Sequence, residues 1–72
     1  MKNKVRALRT ARGWTQEELS VELGVSRQAV NAIETEKHDP SIDLAFRIAA
    51  LFEEEIEAIF ENPYRNSRKR RA

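Results

Sequence analysis

The 72-residue chain contains no cysteine, only two glycines and two prolines, and few aromatic residues. The absence of cysteine excludes a disulfide framework, a thiolate nucleophile and a zinc site built from thiolates. With 40% hydrophobic and 35% charged residues, the composition is that of a helix-rich globule rather than of a disordered or collagen-like chain. No stretch approaches the ~18 consecutive apolar residues of a membrane span. We therefore expect a cytoplasmic protein that makes no membrane contact.

The length of the chain limits both its core and its chemistry. A single core below about 70–80 residues rarely supplies more than about 3–5 kcal/mol of stability, so we expect very regular helix packing or a dimer interface. Most enzyme scaffolds are longer. No nucleophile with an adjacent base, no set of metal ligands and no phosphate-binding loop can be assembled from these residues. The sequence therefore predicts no enzymatic activity, no metal site and no cofactor.

Charge is nearly balanced over the whole chain but is unevenly distributed along it. The net charge is +2 over residues 1–37, −6 over residues 38–61 and +5 over residues 62–72. The last segment has five cations and little apolar surface to bury, so it is predicted to be a basic flexible tail after a domain spanning 1–61. Such a tail could contact DNA phosphates, fold against the acidic stretch of its own chain or of a dimer mate, or only increase solubility.

Capping residues and glycines divide the domain into five predicted helices. The first runs roughly from 3 to 12 and is closed by Gly13 in a left-handed conformation. The second begins at a capping box, in which Thr15 and Glu18 each accept the other's backbone amide. The remaining helices are a third after Ser26, a fourth after Ser41 and a short last one containing Ile56, Ile59 and Phe60. No alternating run of strand-forming residues is present, so the fold class is all-α.

The second and third predicted helices are separated by a very short turn. If the third helix packs across the second, its outward face carries Arg27, Gln28 and Asn31, because these positions lie three and four residues apart. Arginine can bond both acceptors of guanine, and glutamine or asparagine can bond adenine, with about 1–3 kcal/mol of discrimination for each such pair. These three residues are predicted to read bases in the major groove. A solvated helix face is the alternative interpretation.

The stretch from Gly13 to Glu34 resembles the helix-turn-helix of the Cro/phage-repressor (Xre-like) family of transcriptional regulators. Both glycines, both N-caps and five apolar core positions are in register, and the similarity covers residues 3–60. The resemblance implies a five-helix lambda-repressor-like DNA-binding domain. It also implies a sequence-specific regulator, a repressor in our interpretation, that binds a palindromic operator in double-stranded DNA as a homodimer.

The resemblance also implies roles for individual residues. DNA phosphate contacts are implied at Thr15, Gln16, Ser26 and Lys37. An ion pair between Arg9 and Glu34 is implied to tie the first helix to the third.

The chain departs from the family pattern at two turns. Glu36 and Glu53 stand where glycine is common. If those turns keep a left-handed backbone, each glutamate costs about 1–2 kcal/mol.

Two expectations concern other proteins. The large apolar groups near the end of the domain are predicted to form a dimer seam, with ordinary core packing as the alternative; they are Ile56, Ile59, Phe60 and Tyr64. The net charge of −4 over residues 1–61 is unusual for a DNA-binding domain. The alternative function is therefore a protein-interaction module, of the antitoxin or anti-repressor type, that uses the same scaffold to hold a protein partner.

Overall fold

The computed structural model describes residues 1–64, which fold into five α-helices. The helices are α1 (Val5–Ala11), α2 (Gln16–Leu23), α3 (Arg27–Glu34), α4 (Ile42–Phe52) and α5 (Ile56–Ile59). The predicted all-α fold is confirmed. The predicted tail begins at residue 62, but its basic part, residues 65–72, lies outside the described residues.

Helices α2, α3 and α4 begin where the capping residues predicted. The Thr15 hydroxyl accepts a hydrogen bond from the Glu18 amide at 3.1 Å, and the Glu18 carboxylate accepts one from the Thr15 amide at 2.8 Å. The hydroxyls of Ser26 and Ser41 accept hydrogen bonds from the Ala29 and Leu44 amides, each at 3.1 Å, and so cap α3 and α4. Gly24 ends α2 with φ of 72°, a left-handed conformation that glycine adopts without strain. These caps fix the turn that separates α2 from α3.

The core lies between α2, α3 and α4, with α1 and α5 covering its ends. Its most deeply buried side chains come from every helix and are Val5, Leu19, Val30, Ile48 and Ile59. Ser20 is also buried, and its hydroxyl donates to the Glu17 carbonyl at 2.6 Å. The hydroxyl is therefore satisfied inside α2, so the site needs no polar partner from another helix.

Both ends of the domain meet at α5. The Lys4 amide donates to the Ile59 carbonyl, and the Glu61 amide donates to the Lys2 carbonyl, each at 2.8 Å. Asn3 forms an antiparallel bridge with Phe60 and donates its side-chain amide to the Ile33 carbonyl at 2.9 Å. Helix α1 therefore begins at Val5 rather than near residue 3, because the preceding residues pair with the end of α5.

This pairing corrects part of the predicted dimer seam. Ile59 and Phe60 are 2% and 4% exposed and belong to the core of the single chain, so they offer no surface to a second copy. Ile56 is half-buried against the same core, and Tyr64 is exposed. Of the four residues, only Ile56 and Tyr64 remain available for the predicted seam.

Glu36 and Glu53 both adopt the left-handed conformation, with φ of 65° and 55°. Glu36 follows α3, and its turn brings the Lys37 amide to the Ala32 carbonyl at 2.9 Å. Glu53 is the C-cap of α4. The turns thus keep the shape that glycine would favour, although neither residue is glycine.

Replacing Glu53 by glycine is expected to raise the free energy of unfolding by about 0.5–1 kcal/mol. The substitution removes a left-handed strain of about 1–2 kcal/mol, and the greater freedom of glycine in the unfolded chain offsets part of the gain. Urea denaturation of the full chain measures the change. Glu54→Gly is the matched control, because Glu54 has no positive φ; it should be neutral or destabilising. Equal effects of the two substitutions would contradict the strain at Glu53.

Candidate nucleic-acid interface

Helix α3 presents one apolar and one polar face. Val30 and Ile33 are buried against the rest of the domain. Arg27, Gln28 and Asn31 are exposed on the other side of the helix. A polar face on a short helix that is fixed to a core from behind has the shape needed to enter the major groove, which admits an α-helix.

The Arg27 guanidinium has a carboxylate neighbour on α2. Its Nε lies 4.0 Å from Glu17 Oε1, and both side chains are more than half exposed. Such an exposed pair contributes at most about 1 kcal/mol, so it does not prevent Arg27 from turning to another partner. Sequence reasoning missed this contact because the two residues lie on different helices.

Gln16, at the start of α2, connects the two helices of the motif. Its amide nitrogen donates to Asn31 Oδ1 at 3.2 Å and to Glu34 Oε1 at 3.0 Å. Gln16, which is predicted to contact phosphate, is therefore hydrogen-bonded to Asn31, which is predicted to read a base.

The ion pair between Arg9 and Glu34 lies behind this contact. Arg9 Nε donates to Glu34 Oε2 at 2.7 Å and Nη2 donates to Oε1 at 3.2 Å, while Nη1 donates to the Trp14 carbonyl at 2.7 Å. The side chains of Arg9 and Glu34 are 12% and 2% exposed. The hydrogen bond to Glu34 raises the pKa of Arg9, although burial opposes the shift. The ion pair implied by the resemblance is present, and it holds α1 to α3.

Four residues stand where phosphate contacts were predicted. Thr15 and Ser26 are the N-caps of α2 and α3, and their hydroxyl oxygens accept hydrogen bonds from backbone amides. Their hydroxyl hydrogens are not used in capping and can donate to a phosphate oxygen, at helix ends that favour an anion. Gln16 is the first residue of α2, and Lys37 is exposed just beyond α3.

Two other kinds of feature are absent from the described part of the chain, a metal-binding cluster and a membrane-spanning helix. Residues 1–64 contain no group of three or more His, Cys, Asp or Glu side chains that could hold a metal ion. No helix in this range is long and apolar enough to span a membrane.

Known proteins are similar to this chain in sequence or in fold. The family model described as helix-turn-helix matches residues 5–59. A protein of Methanocaldococcus jannaschii, named as an uncharacterized HTH-type transcriptional regulator, is 53% identical over 60 residues, which cover 83% of this chain and 91% of that protein. A Bacillus subtilis protein named in the same way is 45% identical, with the same shares covered.

A solved structure shares the fold at lower identity. The crystal structure of a hypothetical transcription factor from Neisseria superimposes with a TM-score of 0.73 and 23% identity, over 96% of this chain and 78% of that one. The chain belongs to the Xre-like helix-turn-helix family, and it is a DNA-binding transcription regulator rather than an enzyme.

Proposed function

We propose that this protein is a repressor that binds a palindromic operator as a homodimer, with α3 in the major groove of each half-site. The observation that carries the proposal is the exposed polar face of α3, formed by Arg27, Gln28 and Asn31. This face lies on a helix whose other side is buried and whose start is capped by Ser26.

Two sets of residues have different roles in DNA binding, one contacting phosphates and the other contacting bases. Thr15, Gln16, Ser26 and Lys37 contact phosphates and set the position and depth of α3, because phosphate contacts fix register without carrying sequence information. The base-reading residues then contact base edges. Arg27 exchanges its weak contact with Glu17 for a guanine, which offers two acceptors to its guanidinium.

The homodimer follows from the two-fold symmetry of palindromic sites. Half-sites for proteins of this type are one helical turn apart, about 34–36 Å. Ile56 and Tyr64 supply apolar surface for the second copy, and the cations of 65–72 add phosphate contacts beside the operator. The protein acts on double-stranded DNA in the cytoplasm, where its occupation of a promoter represses transcription.

Single substitutions on α3 test the proposal. Duplexes selected by the full chain from a random-sequence library serve as the probe. Arg27→Ala, Gln28→Ala and Asn31→Ala should each flatten the base preference at one position, with a loss of about 1–3 kcal/mol of discrimination. Lys37→Ala should weaken binding to all sequences alike. Fluorescence anisotropy titrations measure both effects.

Arg6→Ala is the matched control, because it removes one exposed cation from α1 and not from α3. It should leave every base preference unchanged. If the three α3 variants also leave the preferences unchanged, α3 does not read bases and the proposal fails.

The net charge of −4 over residues 1–61 favours the second candidate, a module that holds a protein partner. That function becomes the better explanation if the chain selects no DNA sequence at all from the library.

A further inference from the structure

Four polar side chains form a continuous chain of hydrogen bonds from α1 to the exposed face of α3. They are, in order, Arg9, Glu34, Gln16 and Asn31, and we refer to them as the Arg9–Asn31 relay. Glu34 is almost completely buried, whereas Asn31 is exposed. The relay therefore connects a buried ion pair to a residue that is proposed to read bases.

The direction of every hydrogen bond in the relay follows from its buried end. A guanidinium only donates and a carboxylate only accepts, so Glu34 offers nothing but acceptors to Gln16. Gln16 must turn its amide nitrogen toward Glu34, and the same nitrogen meets Asn31 at 3.2 Å. Asn31 must then present its oxygen to Gln16. The orientation of both side-chain amides is thus set by the need of the Glu34 carboxylate for hydrogen-bond donors, because the nitrogen and oxygen ends of an amide have nearly the same shape.

The outward group of Asn31 is consequently its amide nitrogen. Within residues 1–64 this nitrogen donates no hydrogen bond, whereas the oxygen already accepts one from Gln16. A free asparagine can rotate its amide to present either group, but Asn31 is held with its donors facing out. Acceptors on base edges, such as guanine N7 and O6 or thymine O4, match this orientation, and cytosine, which presents an amino donor, does not.

We infer that the Arg9–Asn31 relay determines specificity: it makes Asn31 a hydrogen-bond donor that selects an acceptor on the base edge and rejects cytosine. This inference rests on the proposed function, since it assumes that α3 enters the major groove. Gln16 and Glu34 are positioning residues for Asn31. For Gln16 this role is separate from its proposed contact with phosphate.

Gln16→Met is the first test. Methionine has nearly the shape of glutamine but cannot hydrogen-bond in this way, so Asn31 becomes free to rotate while Arg9 and Glu34 remain paired. Duplexes selected by the wild-type chain are the probe, and Asn31→Ala identifies the base pair that Asn31 reads. We expect the wild-type protein to bind the cytosine variant at that position about tenfold more weakly than the best duplex. In Gln16→Met this ratio should fall about threefold or more.

Lys37→Ala is the control for lost phosphate contact. Gln16→Met also weakens binding to every duplex if Gln16 contacts phosphate, but a uniform loss does not change the ratio between two duplexes. Lys37→Ala should lower all affinities and leave the cytosine ratio as in the wild type. The ratio therefore separates positioning of Asn31 from phosphate contact.

Glu34→Gln provides a test with the opposite sign. The short bond from Arg9 Nε to Oε2, at 2.7 Å, keeps the oxygen of the new glutamine at that position. Its nitrogen then takes the place of Oε1 toward Gln16, and the longer bond from Arg9 Nη2 to Oε1, at 3.2 Å, is lost. Gln16 then presents its oxygen, and Asn31 turns its nitrogen inward and its oxygen outward. The preference should reverse toward bases with an amino donor, cytosine among them. Circular dichroism establishes that this variant is folded; if it is not, Gln16→Met alone decides the test.

The outcomes distinguish failure of the inference from failure of the proposed function. An unchanged cytosine ratio in Gln16→Met overturns the inference, although the chain still reads DNA through α3. If Asn31→Ala alters no base preference while Arg27→Ala does, the inference is also overturned and the proposed function stands. A wild-type chain that selects no sequence overturns both.

Discussion

Arg9→Met is expected to lower the free energy of unfolding by about 3–5 kcal/mol. The substitution leaves the Glu34 carboxylate 2% exposed and without its cation, and an uncompensated buried charge is among the most destabilising changes a small domain can undergo. A core of this size supplies only about that much stability, so much of the protein should be unfolded at 25 °C. Circular dichroism with urea titration measures the loss.

Two further variants show whether the effect arises from the buried charge. Removing both charges, as in Arg9→Met with Glu34→Leu, should restore a large part of the lost stability, because an apolar pair of similar volume has no charge to desolvate. Glu17→Ala breaks the exposed pair with Arg27 and should cost less than about 1 kcal/mol. A loss below about 1 kcal/mol in Arg9→Met would show that the ion pair does not hold α1 to α3.

The sequence predicted the helices well because their signals are local. Thr15, Ser26 and Ser41 cap the helices that follow them, and Gly24 ends α2, in each case through bonds between residues a few positions apart. The exposed face of α3 also followed from helical spacing alone. Whether its residues read bases stays a prediction.

The features that the sequence did not predict depend on residues that are distant along the chain. Asn3 bonds the Ile33 carbonyl and pairs with Phe60, and neither partner is indicated by spacing. That pairing holds α5 against the core, and Ile59, which was expected at a dimer seam, is therefore buried. The contact of Gln16 with Asn31 likewise depends on how closely α2 approaches α3.

The resemblance supplied what spacing could not. The pair between Arg9 and Glu34 joins residues 25 positions apart, and it was expected only because the family resemblance implied it. The resemblance also marked Glu36 and Glu53 as positions where glycine is common, but the left-handed backbone there was only a condition, since glutamate by itself gives no signal for positive φ. The orientation of Asn31 required the coordinates of all four members of the relay.

Leu19→Ala is expected to destabilise the domain by about 2–5 kcal/mol, because Leu19 is fully buried and the substitution leaves a cavity where α2 packs on the core. Val21→Ala is the matched control in the same helix. Val21 is 69% exposed, so its truncation should change stability by less than about 0.5 kcal/mol. Urea denaturation compares the two variants.

DNA binding should restore the folded population of the Leu19→Ala variant without altering its base preference. A duplex that binds only the folded chain stabilises it by about 2.7 kcal/mol at a hundred times the Kd, which offsets much of the cavity. The recovered protein should prefer the same bases as the wild type, because Leu19 supports α3 from behind and contacts no base. A changed base preference in the refolded variant would show that packing under α2 alters how α3 presents Arg27, Gln28 and Asn31. The stability of the domain and its reading of bases would then not be separate properties.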